Sequence, residues 1–179
     1  MDWSTSPDNT NTQLIANGLL FPCVKNWKLC KCPADRYVSA QQASGGITER
    51  VRSVSMNCFV RGAALPGLYW VPGFASYVKE SDIIAPVPSD LWVITDEHPD
   101  TINDAWLNSA MILTNQWDDL PGSFHHRAGV FNFADGHAAP HPWRSSKTCA
   151  PVRYTRTIIT DPGSPDIQWM LAHTTVPLP

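Results

Sequence analysis

Between Phe124 and Trp143 the chain reads Phe-His-His-Arg-Ala-Gly-Val-Phe-Asn-Phe-Ala-Asp-Gly-His-Ala-Ala-Pro-His-Pro-Trp. The dipeptide Asp135-Gly136 stands between two apolar or alternating runs, and Asp-Gly in that setting supplies the positive φ angles of a tight type I′ hairpin turn. A hairpin there pairs Val130 to Ala134 with His137 to Trp143 and closes one edge of a sheet. His137, Ala139, His141 and Trp143 share parity, so they project from one face. His125, separated from Asp135 by nine residues, is placed to hydrogen-bond the turn carboxylate and fix the register.

The rest of the chain reads as short strands in a turn-rich frame. Sixteen prolines and ten glycines in 179 residues, with only 16% charged residues, leave little room for long helices. Thr12 to Phe21 alone spaces apolar groups at helical period, with Asn9 or Thr10 as N-cap and Pro22 with Lys25-Asn26-Trp27 as its end. Further strands are expected at Val51 to Val60, Ile83 to Ile84, Leu91 to Thr95 and Arg153 to Ile159. Residues 61–80 read as a long aromatic loop around Tyr69 and Trp70, and residues 1–9 and 161–179 as irregular. The length suits one domain over 1–179. A net charge of −3 and a pI near 6.0 point away from nucleic acid. No window approaches the ~20 apolar residues of a membrane span or reads as a secretory leader.

Four segments together resemble a known family. Phe124 to Trp143 resembles the C-terminal signature of the pseudopilin-like proteins abundant in Planctomycetes and Verrucomicrobia, a His, nine residues and Asp-Gly leading into a final strand. Cys32-Pro33-Ala34-Asp35, after Val24-Lys25-Asn26-Trp27, is similar to their Cys-Pro-Ala-Asp element. Arg50-Val51-Arg52-Ser53-Val54-Ser55-Met56-Asn57 resembles their Arg-Ser-x-Ser-Met-Asn strand, and Leu91 to Asp104 their apolar strand ending in an acidic loop. The resemblance spans roughly residues 10 to 143. It implies an α+β pilin-like globular head, a short N-terminal helix plus an antiparallel sheet with long loops. It also implies a structural role in a type II secretion pseudopilus or type IV pilus-like fibre, with like subunits as partners and an extracytoplasmic setting. Relatives carry an N-terminal leader and anchor helix, which Met1-Asp2-Trp3-Ser4 does not resemble. Either Met1 is an internal start in a longer frame, the favoured reading, or the chain is a free-standing head.

Several residue sets carry chemistry. Asp96, Glu97, Asp100, Asn103 and Asp104 offer five oxygen-bearing side chains within nine positions, which suits calcium. Major pseudopilins as a class hold calcium in a head loop, so the resemblance favours that ion. The spacing is not that of an EF-hand, and the alternative is an ordinary turn in which Asp96 and Asn103 cap neighbouring amides. His137 and His141, with His125 or His126 nearby and a carboxylate from Glu97 or Asp135, would suit zinc or another transition metal. The alternative is two partly exposed strand histidines.

An enzyme is the competing reading, namely a glycosidase or esterase in which Glu97, Asp135 and His125 or His137 act as acid, base or metal ligands. No Gly-x-Ser-x-Gly elbow supports a serine nucleophile. A carbohydrate-binding module is the third reading. Of eight tryptophans, Trp70 and Trp143 are the first candidates for sugar platforms, with Trp92, Trp106 and Trp117 behind them and core packing as the alternative for all. The five cysteines, at 23, 30, 32, 58 and 149, leave at least one unpaired in a monomer. Cys30-Lys31-Cys32 lacks the two-residue gap of a zinc knuckle. The extracytoplasmic setting implied by the resemblance would permit a disulfide from Cys30 or Cys32 to Cys58 or Cys23, buried thiols being the alternative.

Overall fold

The computed structural model describes residues 1–60, 71, 73–108 and 115–178, so Trp70 and most of the expected aromatic loop lie outside the described residues. The fold is built around the expected hairpin. Strand β5 (Ala128–Phe133) and strand β6 (Ala138–Pro142) pair antiparallel, with Phe131 opposite Ala139. The connecting turn differs from the expected type. The left-handed angle falls at Gly136 alone (φ 91°), and the Gly136 amide donates to Phe133 O at 3.0 Å. Three linking residues with a single left-handed glycine form the bulged hairpin turn, which follows the right-handed strand twist without forcing Asp135 into a positive φ.

Three more strands complete the sheet: β1 (Val54–Asn57), β2 (Trp92–Asp96) and β3 (Trp106–Leu107), in the order β3-β1-β2-β5-β6. Strand β2 lies antiparallel between β1 and β5, whereas β3 joins β1 in parallel, so the sheet is mixed rather than antiparallel throughout. Two residues each from β4 (Gln116–Trp117) and β7 (Ile159–Thr160) form a separate pair. Of the expected strand Arg153 to Ile159, only Ile159 pairs. Ile83-Ile84 forms none, and Ile84 is exposed.

Residues 161–179 are not irregular throughout, because helix α4 spans Pro165–Thr174. Its start is written in Ser164-Pro165-Asp166: the Ser164 side chain accepts from the Ile167 amide, proline occupies the first turn, and an acidic residue faces the positive end of the helix. Ile167 and Met170 pack on Trp92, Leu107, Trp117, Leu120, Phe131, Phe133 and Trp143 to form the main core. A smaller cluster gathers Cys58, Phe59, Val71, Tyr77 and Leu91.

The expected helix from Thr12 to Phe21 is broken. Helix α1 covers Thr12–Ala16 with Asn11, not Asn9 or Thr10, as the cap, and α2 covers Phe21–Val24 with Pro22 in its first turn rather than at its end. Asn17-Gly18 interrupts the period, and the apolar stripe stays outside, with Leu19 96% exposed. A third short helix, α3 (Ala40–Ser44), carries a Ser39/Gln42 capping box. Among the described residues no helix is long and apolar enough to cross a membrane.

Candidate functional site

The acidic residues beyond β2 are each engaged separately. Glu97 is fully buried and accepts from the Ser55 hydroxyl. Asp100 accepts from Trp3 Nε1 and from the Arg153 and Tyr154 amides at 2.7 to 3.0 Å, tying three segments together. Asp104 and Asn103 accept from nearby amides as turn caps. Glu97, Asp100 and Asp104 thus each bond a different part of the chain, and among the described residues they form no cluster of three carboxylates. His137 does not face the metal set either: it stacks on Phe133 and hydrogen-bonds Asp135 at 2.6 Å on the exposed hairpin. His125 faces Asp96 and Cys32 instead, while the His137 amide and ring bond the Asp135 carboxylate.

The proposed catalytic pair is also separated. Glu97 follows the C-terminal end of β2, while Ala134 and Asp135 bond back to Leu91 and Pro88 at its other end. Six residues of strand span roughly 20 Å, beyond either carboxylate separation used in glycoside hydrolysis. Trp143 is a core residue whose Nε1 donates to Gly122 O at 2.9 Å, not an exposed platform. His141 instead stacks on Trp169.

The convergent set is Cys32, Asp96 and His125, whose ligand atoms all lie within 4.8 Å of one another, and no other such trio of His, Cys, Asp or Glu occurs among the described residues. Three elements deliver it. Cys32 closes the turn of Cys-Pro-Ala-Asp, in which the Asp35 amide donates to Cys32 O. Asp96 ends β2. His125 is turned inward by His126 and Arg127, both left-handed (φ 54° and 64°), with the Ala128 amide donating to His125 O. The consecutive positive angles expected at Asp135-Gly136 occur here instead.

His125 Nε2 lies 3.4 Å from Cys32 Sγ and 3.4 Å from Asp96 Oδ2. Ser53 braces the group: its hydroxyl accepts from the Cys32 amide at 2.7 Å and reaches Asp96 Oδ1 at 3.4 Å. Cys32 and Asp96 are buried, whereas the His125 side chain is 40% exposed, so one edge faces solvent. Burial raises the Cys32 thiol, with the Asp96 charge adding to it, and burial likewise raises the Asp96 carboxyl against the pull of His125. The thiol is thus protonated at neutral pH, which argues against an activated cysteine nucleophile. Cys23, Cys30, Cys32 and Cys149 are free thiols, so the expected disulfide does not form. The convergence of Cys32 with His125 spans 93 residues of sequence and has no local spacing to reveal it.

Gly122 fixes how closely the loop before His125 approaches β2, and its amide donates to Asp96 O at 2.7 Å. A β-carbon there would sit 2.8 Å from Asp96 Cβ and 3.0 Å from the Phe124 ring. Gly122→Ala is expected to cost about 1–3 kcal/mol by overpacking, read by urea denaturation.

Asp119 gives the fold a pH dependence. Burial pushes its carboxyl up to about 6, against the Asn108 amide and Arg156. A carboxyl raised in the native state binds its proton more tightly there than in the unfolded chain. Its stabilising effect is therefore present at low pH and lost as pH rises from about 4 to about 6, by about 3 kcal/mol. Burial, and secondarily the Asp119 charge, raises Glu97 well above its ordinary range, adding to the same trend. The stability difference between wild type and Asp119→Asn is expected to shift against wild type by that amount between pH 4 and pH 7. A pH-independent difference would contradict the assignment.

Comparison with protein-family models, curated proteins and solved structures finds no match to this chain.

Proposed function

We propose that this chain is the globular head of a structural, pilin-like subunit that assembles with like subunits into a pseudopilus or pilus-like fibre outside the cytoplasm. The observation that carries the reading is where the residues of the sequence resemblance go: they bond other parts of the fold, several of them one another. Cys32 bonds Ser53, Asp35 pairs with Arg50, Asp96 meets Ser53 and His125, and Asn57 donates to the carbonyls of Trp92 and Thr174. Residues that brace a frame suit a subunit whose work is to keep its shape.

The hydrolase reading has less support, because Glu97 is sealed from solvent and Asp135 stands at the far end of the strand. A screen of chromogenic glycosides and esters, with and without chelator, separates the two. No turnover by the wild-type chain is expected. Turnover lost in a folded Glu97→Gln or Asp135→Asn variant would establish an enzyme instead.

A further inference from the structure

We infer that Cys32, Asp96 and His125 form a binding site for one transition-metal ion of the zinc type, independent of whether the chain is a pilin-like head. A single nitrogen, His125 Nε2, faces both a sulfur and a carboxylate oxygen at 3.4 Å. The three donor atoms thus converge on one centre, and 3.4 Å is beyond good N–H···O length. A cation placed there would take a lone pair from each.

The separations fit that centre. With zinc bonds of about 2.3 Å to sulfur and about 2.0–2.1 Å to nitrogen and oxygen, tetrahedral angles place sulfur about 3.5 Å from nitrogen, and nitrogen about 3.3 Å from oxygen. Both edges at His125 Nε2 are 3.4 Å in the structure. The third edge lies within 4.8 Å, so a small inward movement of Asp96 or Cys32 closes the triangle. Ser53 supplies outer support of the kind such sites use: its hydroxyl accepts from the Cys32 amide at 2.7 Å and lies 3.4 Å from Asp96 Oδ1, while Oδ2 faces His125.

The donor set selects the ion. One thiolate and one imidazole among three ligands disfavour calcium and magnesium, which take oxygen, and favour zinc or cobalt. Binding releases the Cys32 proton, and the solvent-facing edge beside His125 leaves the fourth position to water.

Titration of the reduced, metal-free chain with Zn²⁺ and Co²⁺ tests the site. One equivalent should bind, and the cobalt form should show a thiolate-to-metal charge-transfer band that Cys32→Ser removes and Cys30→Ser or Cys149→Ser leaves in place. His125→Ala, at a half-exposed position, should fold normally and bind at least 100-fold more weakly, and Ser53→Ala about 10- to 100-fold more weakly. Absence of one-to-one binding, unchanged affinity in His125→Ala, or a thiolate band that survives Cys32→Ser would overturn the assignment.

Discussion

Asp35→Ala is expected to destabilise the fold by about 3–5 kcal/mol, because it removes the carboxylate paired with a buried guanidinium. Arg50 has a fully buried side chain whose Nη2 lies 3.5 Å from Asp35 Oδ2, and the same oxygen takes the Lys31 ammonium at 2.5 Å. The remaining partners of Arg50 are Pro99 O and the face of Trp3, 4.2 Å from the ring centroid. Neither carries a negative charge, and Asp100 is the next carboxylate to oppose the desolvation of Arg50 after Asp35. Desolvation already pulls Arg50 and Lys31 below their ordinary ranges, which Asp35 opposes. The contrast with Arg50→Met is diagnostic. Removing the cation while keeping the volume should cost far less, and the double variant should recover much of the Asp35→Ala loss. Urea denaturation of the three variants reads this directly, and a loss below about 1 kcal/mol for Asp35→Ala would show that the charge is not buried as described.

Phe131→Ala is the second large effect, expected at about 3–5 kcal/mol from lost burial and the cavity left behind. Phe131, on β5, is completely buried, with Trp92, Phe133, Trp143 and Trp169 around it at ring-centroid separations of 4.9 to 6.4 Å. Its edge-to-face pairs add to the transfer energy. Leu19→Ala, in the outward-facing helical stretch, should change stability by less than about 0.5 kcal/mol. The pair of measurements tells core from surface.

Legibility in the sequence followed the range of the interaction. The hairpin around Asp135-Gly136 and strand β2 were readable because alternation and turn chemistry are local. The turn type was not, since loop length as well as the dipeptide selects it, and the chain uses one left-handed glycine after two ordinary residues. Helix α4 had a readable start in Ser164-Pro165-Asp166, which was overshadowed by the prolines and glycines on either side. The stretch from Thr12 failed in the other direction: its period is helical, yet none of its residues is buried, and it breaks at Asn17-Gly18.

The site shows the same division. Asp96 and His125 stood out as chemically capable residues, but their shared partner, Cys32, lies 93 positions from His125 and carries only a one-residue Cys-x-Cys gap. Asp100 and Glu97 looked like cation ligands because acidic side chains close in sequence look exposed. Folding turns one onto two backbone amides and an indole, and the other into the interior beside Ser55. Only tertiary structure distinguishes a carboxylate that holds the chain together from one left open for a ligand.

The structural role is tested most directly in cells that make the native protein, by shearing off surface material, crosslinking it, and labelling intact cells with an antibody to this chain for electron microscopy. Label along fibres or at the cell envelope, with crosslinked ladders of like subunits in the sheared fraction, is the expected result. Label confined to the cytoplasm, with the chain monomeric and absent from the sheared fraction, would contradict a pilin-like assembly.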